Sequence, residues 1–492
     1  MGLVTPVAPV PVGQLGRVHF VGIGGAGMSG IARILLARGV AVSGSDRAAS
    51  EQLDELTALG AVVHVGHAEA NITGADTVVT TPSAIGDNNI EVLAARQRGV
   101  RVIPRAAALA SLMIGKRGIA VSGTHGKTTT TSMLTTVLRH QGCDPSYVIG
   151  GILTETGLGA EDGGGEMFVA EADESDGSFL MLSPAAAVVT CIEAEHLDNY
   201  DSLAQIEATF AAFAGKIADG GLLVACCDDP AAARLAAAAS SLPVRVRTYG
   251  ESPDADYRVT GVTGLGMATR LTISSPAPPP SPARPPSLAP PPSGDPGPLT
   301  LTISVPGRHN ALNAAAAFAA AVELGVPAGS AAAGLAAYRG ARRRMEPKGE
   351  VEGVRVLDSY AHHPTEVAAD LTAARDIAAG GRVIAVFQPH LYSRTRIFAA
   401  EFGAALGLAD EVLVLDVYAA REDPEPGVTG LIVAAAVPGG QARFVPEAAA
   451  VPDAIAGLAK PGDLVLTMGA GDVTALGPLI VAALREREGA GP

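Results

Sequence analysis

The residue types best suited to chemistry in this sequence form one short run of glycines, threonines, a histidine and a lysine. The run follows an apolar stretch at 118–121 and precedes an amphipathic stretch at 133–138, which predicts the order strand, loop, helix. A loop in that position directs backbone N–H groups and the positive end of the helix dipole at an anion. The lysine adds a point charge, and the threonine after it can hold Mg²⁺. We interpret the run as a triphosphate site comprising Gly123, Thr124, His125, Gly126, Lys127, Thr128 and Thr129.

The run departs from the common phosphate-loop pattern G-x-x-x-x-G-K-[ST], because Val121 stands where the first glycine belongs. The alternative is a turn between strand and helix that binds no ligand. We favour the phosphate site, because Gly-Lys-Thr directly after a strand is a demanding combination for a simple turn.

A carboxylate and a histidine follow two further predicted strands. Glu171 ends the strand predicted at 166–171, and His196 follows the strand predicted at 187–192. Ligands of open α/β sheets gather at the carboxyl ends of strands, so both side chains should lie beside the phosphate loop. Carboxylate oxygens suit a hard cation that bridges phosphates, and an imidazole is tolerated. The acidic turn at 173–176 could equally be a solvated loop.

A second glycine loop lies near the N-terminus, between a strand predicted at 17–21 and a helix predicted at 28–38. Residues 22–27 read G-I-G-G-A-G, and Asp46 follows about 20 positions later, where a Rossmann fold places its ribose-binding acid. Taken alone, the loop indicates an NAD enzyme. Physically it supplies a close backbone approach to a pyrophosphate, so any nucleotide diphosphate could bind there.

Polar side chains also gather at four strand ends in the C-terminal third, which predicts a further site. These strands are predicted at 354–357, 383–387, 412–416 and 464–468, and Asp358 follows the first of them. Two segments before them are ambiguous. Residues 307–313 could meet a base or phosphate, or could only cap a helix. The basic segment 338–344 could contact an anion or be a solvated charge run.

Composition narrows the class of protein. A length of 492 residues suggests about three domains, and a formal net charge of −15 argues against a nucleic-acid binder, which would carry a basic face. The N-terminus lacks the basic segment of a signal peptide, and the alanine-rich run at 311–324 is too short to span a bilayer. The four cysteines show no metal-binding spacing. We therefore expect a cytoplasmic protein without membrane insertion.

Alternating strands and helices predict an α/β fold of three domains. These are a Rossmann-like N-terminal domain at 1–112, a P-loop-type central ATPase domain at 113–341 and a Rossmann-like C-terminal domain at 342–492. A proline-rich insertion at about 274–298 can form neither a helix nor a central strand. Strands predicted on both sides of it indicate an enlarged hairpin loop within the central domain.

Together these motifs resemble the Mur ligases, in the family's order and across nearly the whole chain. That family uses G-T-x-G-K-T after its strand, which accounts for Val121. The segments that carry the resemblance are 22–28 (GIGGAGM), 123–129 (GTHGKTT), 171–176 (EADESD), 195–198 (EHLD), 307–310 (GRHN), 358–366 (DSYAHHPTE) and 387–390 (FQPH).

The resemblance implies an activity and its substrates. The first domain would bind the UDP of a muramyl substrate, the second would bind ATP and Mg²⁺, and the third would hold the amino acid. L-alanine would be joined to the lactyl carboxylate of UDP-N-acetylmuramate through an acyl phosphate, giving ADP and phosphate in peptidoglycan precursor synthesis. The oligomeric state stays open between monomer and homodimer.

The resemblance also implies a role for each residue that fits the family's motifs. Lys127, Glu171 and His196 would be catalytic, and Thr128, Glu171 and His196 would hold the metal. ATP would be bound by residues 123–129 together with Asn310, Arg343 and Asp358. UDP would be bound by Gly22, Gly24, Gly25, Ala26, Gly27 and Asp46, and the amino acid by His362 and Arg394.

Two departures and three alternatives remain. Many relatives carry Arg at the position of Leu391. Sibling ligases use a carbamylated lysine for which we find no convincing counterpart, and Lys216 is a weak candidate that we do not adopt. A recycling ligase of the same family would attach a preformed murein peptide to the same sugar nucleotide. From other classes, an NAD-dependent oxidoreductase or a nucleotide switch without chemistry would also carry some of these motifs.

Overall fold

The computed structural model describes residues 3–81, 88–197, 199–276, 297–420 and 422–489. The chain divides into two compact units. One comprises Met1–Thr260, Thr272–Leu301 and Leu312–Tyr338, and the other comprises Gly261–Leu271, Thr302–Ala311 and Arg339–Pro492. Among the helices of the described ranges, none is long and apolar enough to cross a membrane.

The N-terminal part of the first unit is a five-stranded parallel sheet of the Rossmann type, as predicted. Its strand order is β3-β2-β1-β4-β5. All four residues of the central strand β1 are buried, because helices cover both faces of the sheet. Strands β1–β5 span Val18–Val21, Val42–Asp46, Val62–Val65, Thr77–Thr80 and Arg101–Pro104, and helices α1–α4 span Ala26–Ala37, Glu51–Ala58, Ile90–Gln97 and Arg105–Met113.

The central part is built on a ten-stranded sheet with the order β15-β14-β13-β12-β11-β10-β6-β9-β7-β8. Strand β6 lies between β10 and β9 and runs parallel to both, so their carboxyl ends meet at one edge. Strands β6–β15 span Arg117–Ser122, Ser146–Val148, Ala160–Glu161, Met167–Glu171, Ala186–Val189, Leu222–Cys226, Arg245–Gly250, Tyr257–Leu265, Ala268–Ser274 and Leu299–Ile303. Helices α5–α9 span Lys127–His140, Leu203–Ala214, Pro230–Ala239, Arg308–Glu323 and Ala328–Ala337.

Small residues let the helices of this unit pack closely. A Cβ on Gly334 of α9 would lie 2.8 Å from the Cα of Val137 in α5, so only glycine permits this approach. Arg38, just after α1, donates to Asp162 at 2.7 Å and to the Leu112 carbonyl at 2.9 Å. This ion pair ties the N-terminal sheet to the central one.

The second unit contains a six-stranded sheet with the order β16-β17-β21-β18-β19-β20, parallel except for the antiparallel pair β16 and β17. Alternate residues of β18 enter two separate cores, Val383 and Phe387 on one face and Ile384 and Val386 on the other. Helices therefore cover both faces, as in a doubly wound domain. Strands β16–β21 span Glu346–Val351, Val354–Ser359, Val383–Phe387, Glu411–Val414, Ala442–Phe444 and Leu464–Met468, and helices α10–α14 span Pro364–Ala378, Tyr392–Leu406, Gly430–Ala436, Val451–Leu458 and Leu476–Gly489.

The α/β fold class is confirmed, whereas the domain boundaries stay predictions. The boundary predicted at 112 falls in the last turn of α4, and the one predicted at 341 falls just after α9. The compact units add 261–271 and 302–311 to the C-terminal part. Strands β14 and β15, which flank the proline-rich insertion, are neighbours in the sheet. Most of that insertion, 277–296, lies outside the described residues.

Candidate functional site

The predicted phosphate loop joins β6 to α5, and two of its glycines have no room for a side chain. Gly123 has φ +129°, and a Cβ there would lie 2.1 Å from the Thr190 hydroxyl. Gly126 has φ +82°, and a Cβ there would lie 2.4 Å from Asn313 Oδ1. Asn313 also accepts a hydrogen bond from the Thr130 hydroxyl at 3.3 Å. Asn313 therefore supports the loop, a role that its position in an alanine-rich run did not reveal.

The end of β10 bends to bind this loop. The strand predicted to reach residue 192 ends at Val189, because the next residues make hydrogen bonds to the loop instead of to a strand. The Thr124 amide donates to the Cys191 carbonyl at 2.9 Å, and the His125 amide contacts Cys191 Sγ at 3.3 Å. The Thr124 hydroxyl accepts from the Glu193 amide at 2.8 Å. Thr129 is buried in the first turn of α5.

Lys127 begins α5 and is held by three acceptors. Its Nζ donates to the Gly123 carbonyl at 2.7 Å, the Thr124 carbonyl at 3.1 Å and Glu174 Oε1 at 2.9 Å. Burial alone would lower the pKa of Lys127, but the negative charges of Glu174, Asp173 and Glu171 raise it above its ordinary value. The lysine therefore stays cationic at neutral pH, as a phosphate ligand requires.

His196 lies on the other side of Glu174, with Nε2 3.6 Å from Glu174 Oε1 and 3.7 Å from Glu195 Oε2. Its φ of +54° places it in the left-handed region, where a residue other than glycine is strained. Burial alone would lower its pKa, but the hydrogen bond with Glu174 and the charges of Glu195 and Asp173 raise it. The structure thus brings Lys127 and His196 together through one carboxylate.

The three acids of the turn after Glu171 have separate roles. Glu174 is 2% exposed and binds Lys127. Asp173 forms an ion pair with Arg105 at 2.9 Å, and Asp176 accepts a hydrogen bond from the Ser178 amide at 3.0 Å. The solvated-loop alternative is therefore wrong for Glu174 and for Asp176, which is 5% exposed. The sequence did not distinguish Glu174 from its neighbours.

Glu171 and Thr128 both lie against the turn Gly150-Gly151. The Gly150 amide donates to Glu171 Oε2 at 2.7 Å, and a Cβ on Gly151 would lie 2.9 Å from Thr128 Cγ2. The Thr128 hydroxyl and the Glu171 carboxylate are oxygen donors of the kind that Mg²⁺ prefers, and a neutral imidazole of His196 is tolerated beside them. In chemical type these residues fit Mg²⁺.

Substituting Gly150 with alanine should disturb this set. The new Cβ would lie 2.6 Å from Glu171 Oε1, so the carboxylate must move. A metal ligand displaced by such a shift should lower the rate of ATP-dependent turnover by about 10-fold or more and raise the Mg²⁺ concentration needed. Steady-state assays over a Mg²⁺ titration measure both effects. Gly329→Ala is the matched control, because a Cβ there meets nothing within 4 Å; equal losses in the two variants would contradict the prediction.

The N-terminal glycine loop joins β1 to α1, and its predicted contacts with UDP stay predictions. The Gly22 and Ile23 amides donate to the Ser45 carbonyl at 2.8 and 3.0 Å, and α1 begins at Ala26 directly after Gly25. Asp46 accepts hydrogen bonds from the Gly24 amide at 2.9 Å and from the Arg47 amide at 2.7 Å. Its carboxylate thus holds the loop in shape.

Gly27 brings the loop close to an arginine. A Cβ on Gly27 would lie 2.6 Å from Arg105 Nη1, the guanidinium that pairs with Asp173. Arg105 therefore lies between the N-terminal glycine loop and the acidic turn of the central sheet.

A buried polar network lies beside this loop around Glu91, a residue that the sequence did not single out. Its carboxylate accepts hydrogen bonds from the Ser45 hydroxyl at 2.5 Å, the Asn71 amide at 2.6 Å and the Ala68 backbone at 3.1 Å, and His19 Nε2 lies 3.5 Å away. Burial alone would raise the pKa of Glu91, but these hydrogen bonds lower it from 4.5 to about 2.

Glu91→Gln should therefore destabilise the protein in a pH-dependent way. Because the folded-state pKa is depressed, the stabilisation is complete above the unfolded value of 4.5 and is lost as the pH falls toward 2. The shift corresponds to about 3 kcal/mol at neutral pH. Urea unfolding at pH 7, 5 and 3.5 should show that the difference in unfolding free energy between wild type and variant becomes smaller as the pH falls. A gap that stays constant with pH would contradict this, and the surface variant Glu55→Gln serves as control.

The predicted amino-acid residues form one aromatic and basic cluster in the second unit. The ring of His362 meets that of His390 edge-on with centroids 6.1 Å apart, and His390 stacks on Tyr418 at 5.8 Å. Arg394 Nη1 lies 3.4 Å from His390 Nδ1, and the side chain is buried. The structure thus brings His362 and Arg394 together and adds His390 and Tyr418, which stood at predicted strand ends without an assigned role. Leu391, beside them, has φ +68°.

Asp358 and Arg343 form a second, largely buried network in the same unit. Both Asp358 oxygens accept hydrogen bonds at 2.7 Å, one from Thr467 and the other from Thr474. Arg343 Nη2 donates to the Gly469 carbonyl at 2.6 Å, and its guanidinium stacks 4.8 Å from the Tyr360 ring. Asp358 is fully buried, and these two threonines occupy both oxygens of its carboxylate.

Asn310 lies in the first turn of α8, where its side-chain amide donates to the Pro306 carbonyl at 2.7 Å. This contact is not a helix cap, because a capping side chain accepts a hydrogen bond from a backbone N–H and here the side chain donates. The predicted ATP contacts of Asn310, Arg343 and Asp358 stay predictions.

Three family models cover most of the chain. The model described as Mur ligase family, catalytic domain, matches residues 17–117; the Mur ligase middle domain matches 121–321; and the Mur ligase, glutamate ligase domain, matches 343–471.

Individual relatives agree with these models. The chain is 55% identical to a UDP-N-acetylmuramate–L-alanine ligase of Thermobifida fusca, over 98% of this chain and all of that one. The crystal structure of a UDP-N-acetylmuramate-alanine ligase from Thermotoga maritima is 28% identical with a TM-score of 0.78, covering 96% of this chain and 99% of that one. A murein peptide ligase from Psychrobacter arcticus, at 24% identity and a TM-score of 0.69, covers 95% of this chain and 98% of that one and shares the fold.

Proposed function

This chain belongs to the Mur ligase family, and from that premise we propose that it joins L-alanine to the lactyl carboxylate of UDP-N-acetylmuramate. ATP is consumed, and ADP and phosphate are released. The product is a peptidoglycan precursor. Relatives with this activity and half or more of their residues in common with the chain support the assignment.

A carboxylate is a poor acylating agent at neutral pH, so the reaction needs an activated intermediate. The lactyl carboxylate attacks the γ-phosphate of ATP and becomes an acyl phosphate with loss of ADP. The alanine amine then attacks the acyl carbon, and the tetrahedral intermediate expels phosphate. Phosphoryl transfer asks the protein mainly for positioning and charge neutralisation. Lys127 supplies the positive charge at the β- and γ-phosphates.

We assign the metal ligands to Thr128, Glu171 and His196. A bound Mg²⁺ supplies charge neutralisation for the phosphates. The protein residues bind and orient: Glu171 is fixed by the Gly150 amide, and His196 is fixed by Glu174. His362 and Arg394 are assigned to the amino acid, with Arg394 placed to bind its carboxylate.

The observation that carries the proposal lies at the carboxyl ends of the parallel strands β6, β9 and β10. There Glu174 binds Lys127 and lies 3.6 Å from His196, and the charge of Glu171 acts on the same lysine. The test measures phosphate release with ATP, Mg²⁺, UDP-N-acetylmuramate and L-alanine, omitting each in turn. We expect release to need all four. Release that does not depend on the sugar nucleotide would overturn the ligase assignment.

The recycling ligase is the second candidate, since a murein peptide ligase shares the fold. Turnover with a murein tripeptide in place of L-alanine separates the two activities, and a strong preference for the tripeptide would favour recycling. The oxidoreductase and the nucleotide switch have no support, because the family models cover the N-terminal glycine loop, the phosphate loop and the C-terminal part alike.

A further inference from the structure

Glu174 makes contacts that the roles assigned above do not use. Its Oε1 accepts a hydrogen bond from Lys127 Nζ at 2.9 Å and lies 3.6 Å from His196 Nε2. Its main-chain carbonyl accepts a hydrogen bond from the Tyr200 hydroxyl, which holds the backbone at this point. One side chain thus joins the lysine of the phosphate loop to the histidine assigned to the metal.

The other carboxylate oxygen of Glu174 is buried and has no hydrogen-bond partner within the described part of the chain. A buried charged oxygen without a partner costs free energy, so a protein keeps one where function needs it. The side chain as a whole is 2% exposed. Glu174 is therefore an acid placed at the site at a cost in stability.

Lys127 has no spare donor in this arrangement. An ammonium group carries three N–H donors, and those of Lys127 are directed at the Gly123 carbonyl, the Thr124 carbonyl and Glu174. A phosphate oxygen can bond to Lys127 only by displacing one of these acceptors. The two carbonyls belong to the loop that cradles the phosphate, whereas the Glu174 carboxylate would repel it, so Glu174 is the partner to be displaced.

We propose that Glu174 is a positioning residue of the ligation: it holds Lys127 and His196 in place before ATP binds and releases Lys127 to the triphosphate. This inference rests on the proposed function. Its negative charge opposes ATP binding, while its contacts orient the side chains of Lys127 and His196. Removing the charge should therefore strengthen ATP binding and slow turnover, a combination that simple structural damage does not produce.

The test compares wild type with Glu174→Gln, which keeps the shape and removes the charge. ATP affinity is measured by calorimetry without sugar nucleotide or alanine, and kcat is measured in the full assay. We expect the Kd for ATP to fall by about 3- to 10-fold, because a nearby like charge is removed. We expect kcat to fall by about 10- to 100-fold, because Lys127 and His196 lose their common anchor.

Two further variants complete the design. Glu207→Gln removes a charge of the same sign from a surface ion pair with Arg234, and it should change neither the Kd for ATP nor kcat. Glu174→Asp keeps the charge but shortens the reach, so it should lower kcat with ATP affinity near that of wild type. If Glu174→Gln does not fold, Glu174→Asp still tests the effect on kcat.

Weaker ATP binding together with lower kcat and a lower melting temperature in Glu174→Gln would overturn the inference in favour of a purely structural role. A Kd for ATP and a kcat equal to those of wild type in Glu174→Gln would overturn the inference as well. The affinity measurement needs no turnover, so it stays informative if the wild-type enzyme joins a different amino acid. Failure of the wild-type assay with UDP-N-acetylmuramate and L-alanine would instead count against the proposed function.

Discussion

Replacing Lys127 with methionine should lower kcat by about 1,000-fold or more, equivalent to about 4 kcal/mol of transition-state stabilisation. Methionine keeps the apolar stem of the side chain and removes the charge that neutralises the β- and γ-phosphates. The effect should be on kcat, because charge builds up on the transferring phosphoryl group. Phosphate release under saturating substrates measures it.

Lys127→Met also leaves Glu174 buried without its cation, which should cost about 1–3 kcal/mol of folding stability. The double variant Lys127→Met with Glu174→Gln should recover that stability without recovering turnover, so the two losses can be separated. Lys216→Met is the control, because Lys216 is exposed. Turnover of Lys127→Met within 10-fold of that of Lys216→Met would exclude Lys127 from the phosphate site, since loss of transition-state charge stabilisation costs about 100-fold or more.

Replacing Arg394 with alanine should raise the KM for L-alanine by about 30- to 1,000-fold, with a much smaller change in the KM for ATP. The guanidinium is the charged group of the His362, His390 and Tyr418 cluster that can bind a carboxylate in a bidentate manner. Arg394→Lys keeps the charge but not the planar fork, so its KM should lie between those of wild type and the alanine variant.

Arg396→Ala is the matched control, because it removes an arginine two residues further along the same helix. That side chain is 54% exposed and pairs with Glu425 at the surface. We expect the KM for L-alanine to stay within about 2-fold of wild type, since exposed ion pairs contribute little. An equal rise in KM for both substrates in Arg394→Ala would indicate that the residue supports the fold and does not bind the amino acid.

Several features could be predicted from the sequence because they depend on local order along the chain. Apolar runs followed by Gly22–Gly27 and by Gly123–Thr129 predict strand, loop and helix, and each loop joins a strand to a helix in the structure. Glu171 could be assigned because it ends a strand parallel to the one before the phosphate loop. Parallel strands bring their carboxyl ends to one edge whatever the detailed packing.

Other features were decided only by tertiary structure, because they depend on which side chains meet across long stretches of chain. Asp358 and Thr474 are 116 residues apart, and only folding shows that this hydrogen bond occupies the carboxylate. Asp46 binds the glycine loop through a contact 22 residues away. The run of glycines, threonines and Lys127 at 123–129 indicated a phosphate site by itself. The choice of Glu174 among three neighbouring acids required the three-dimensional positions of Lys127 and His196.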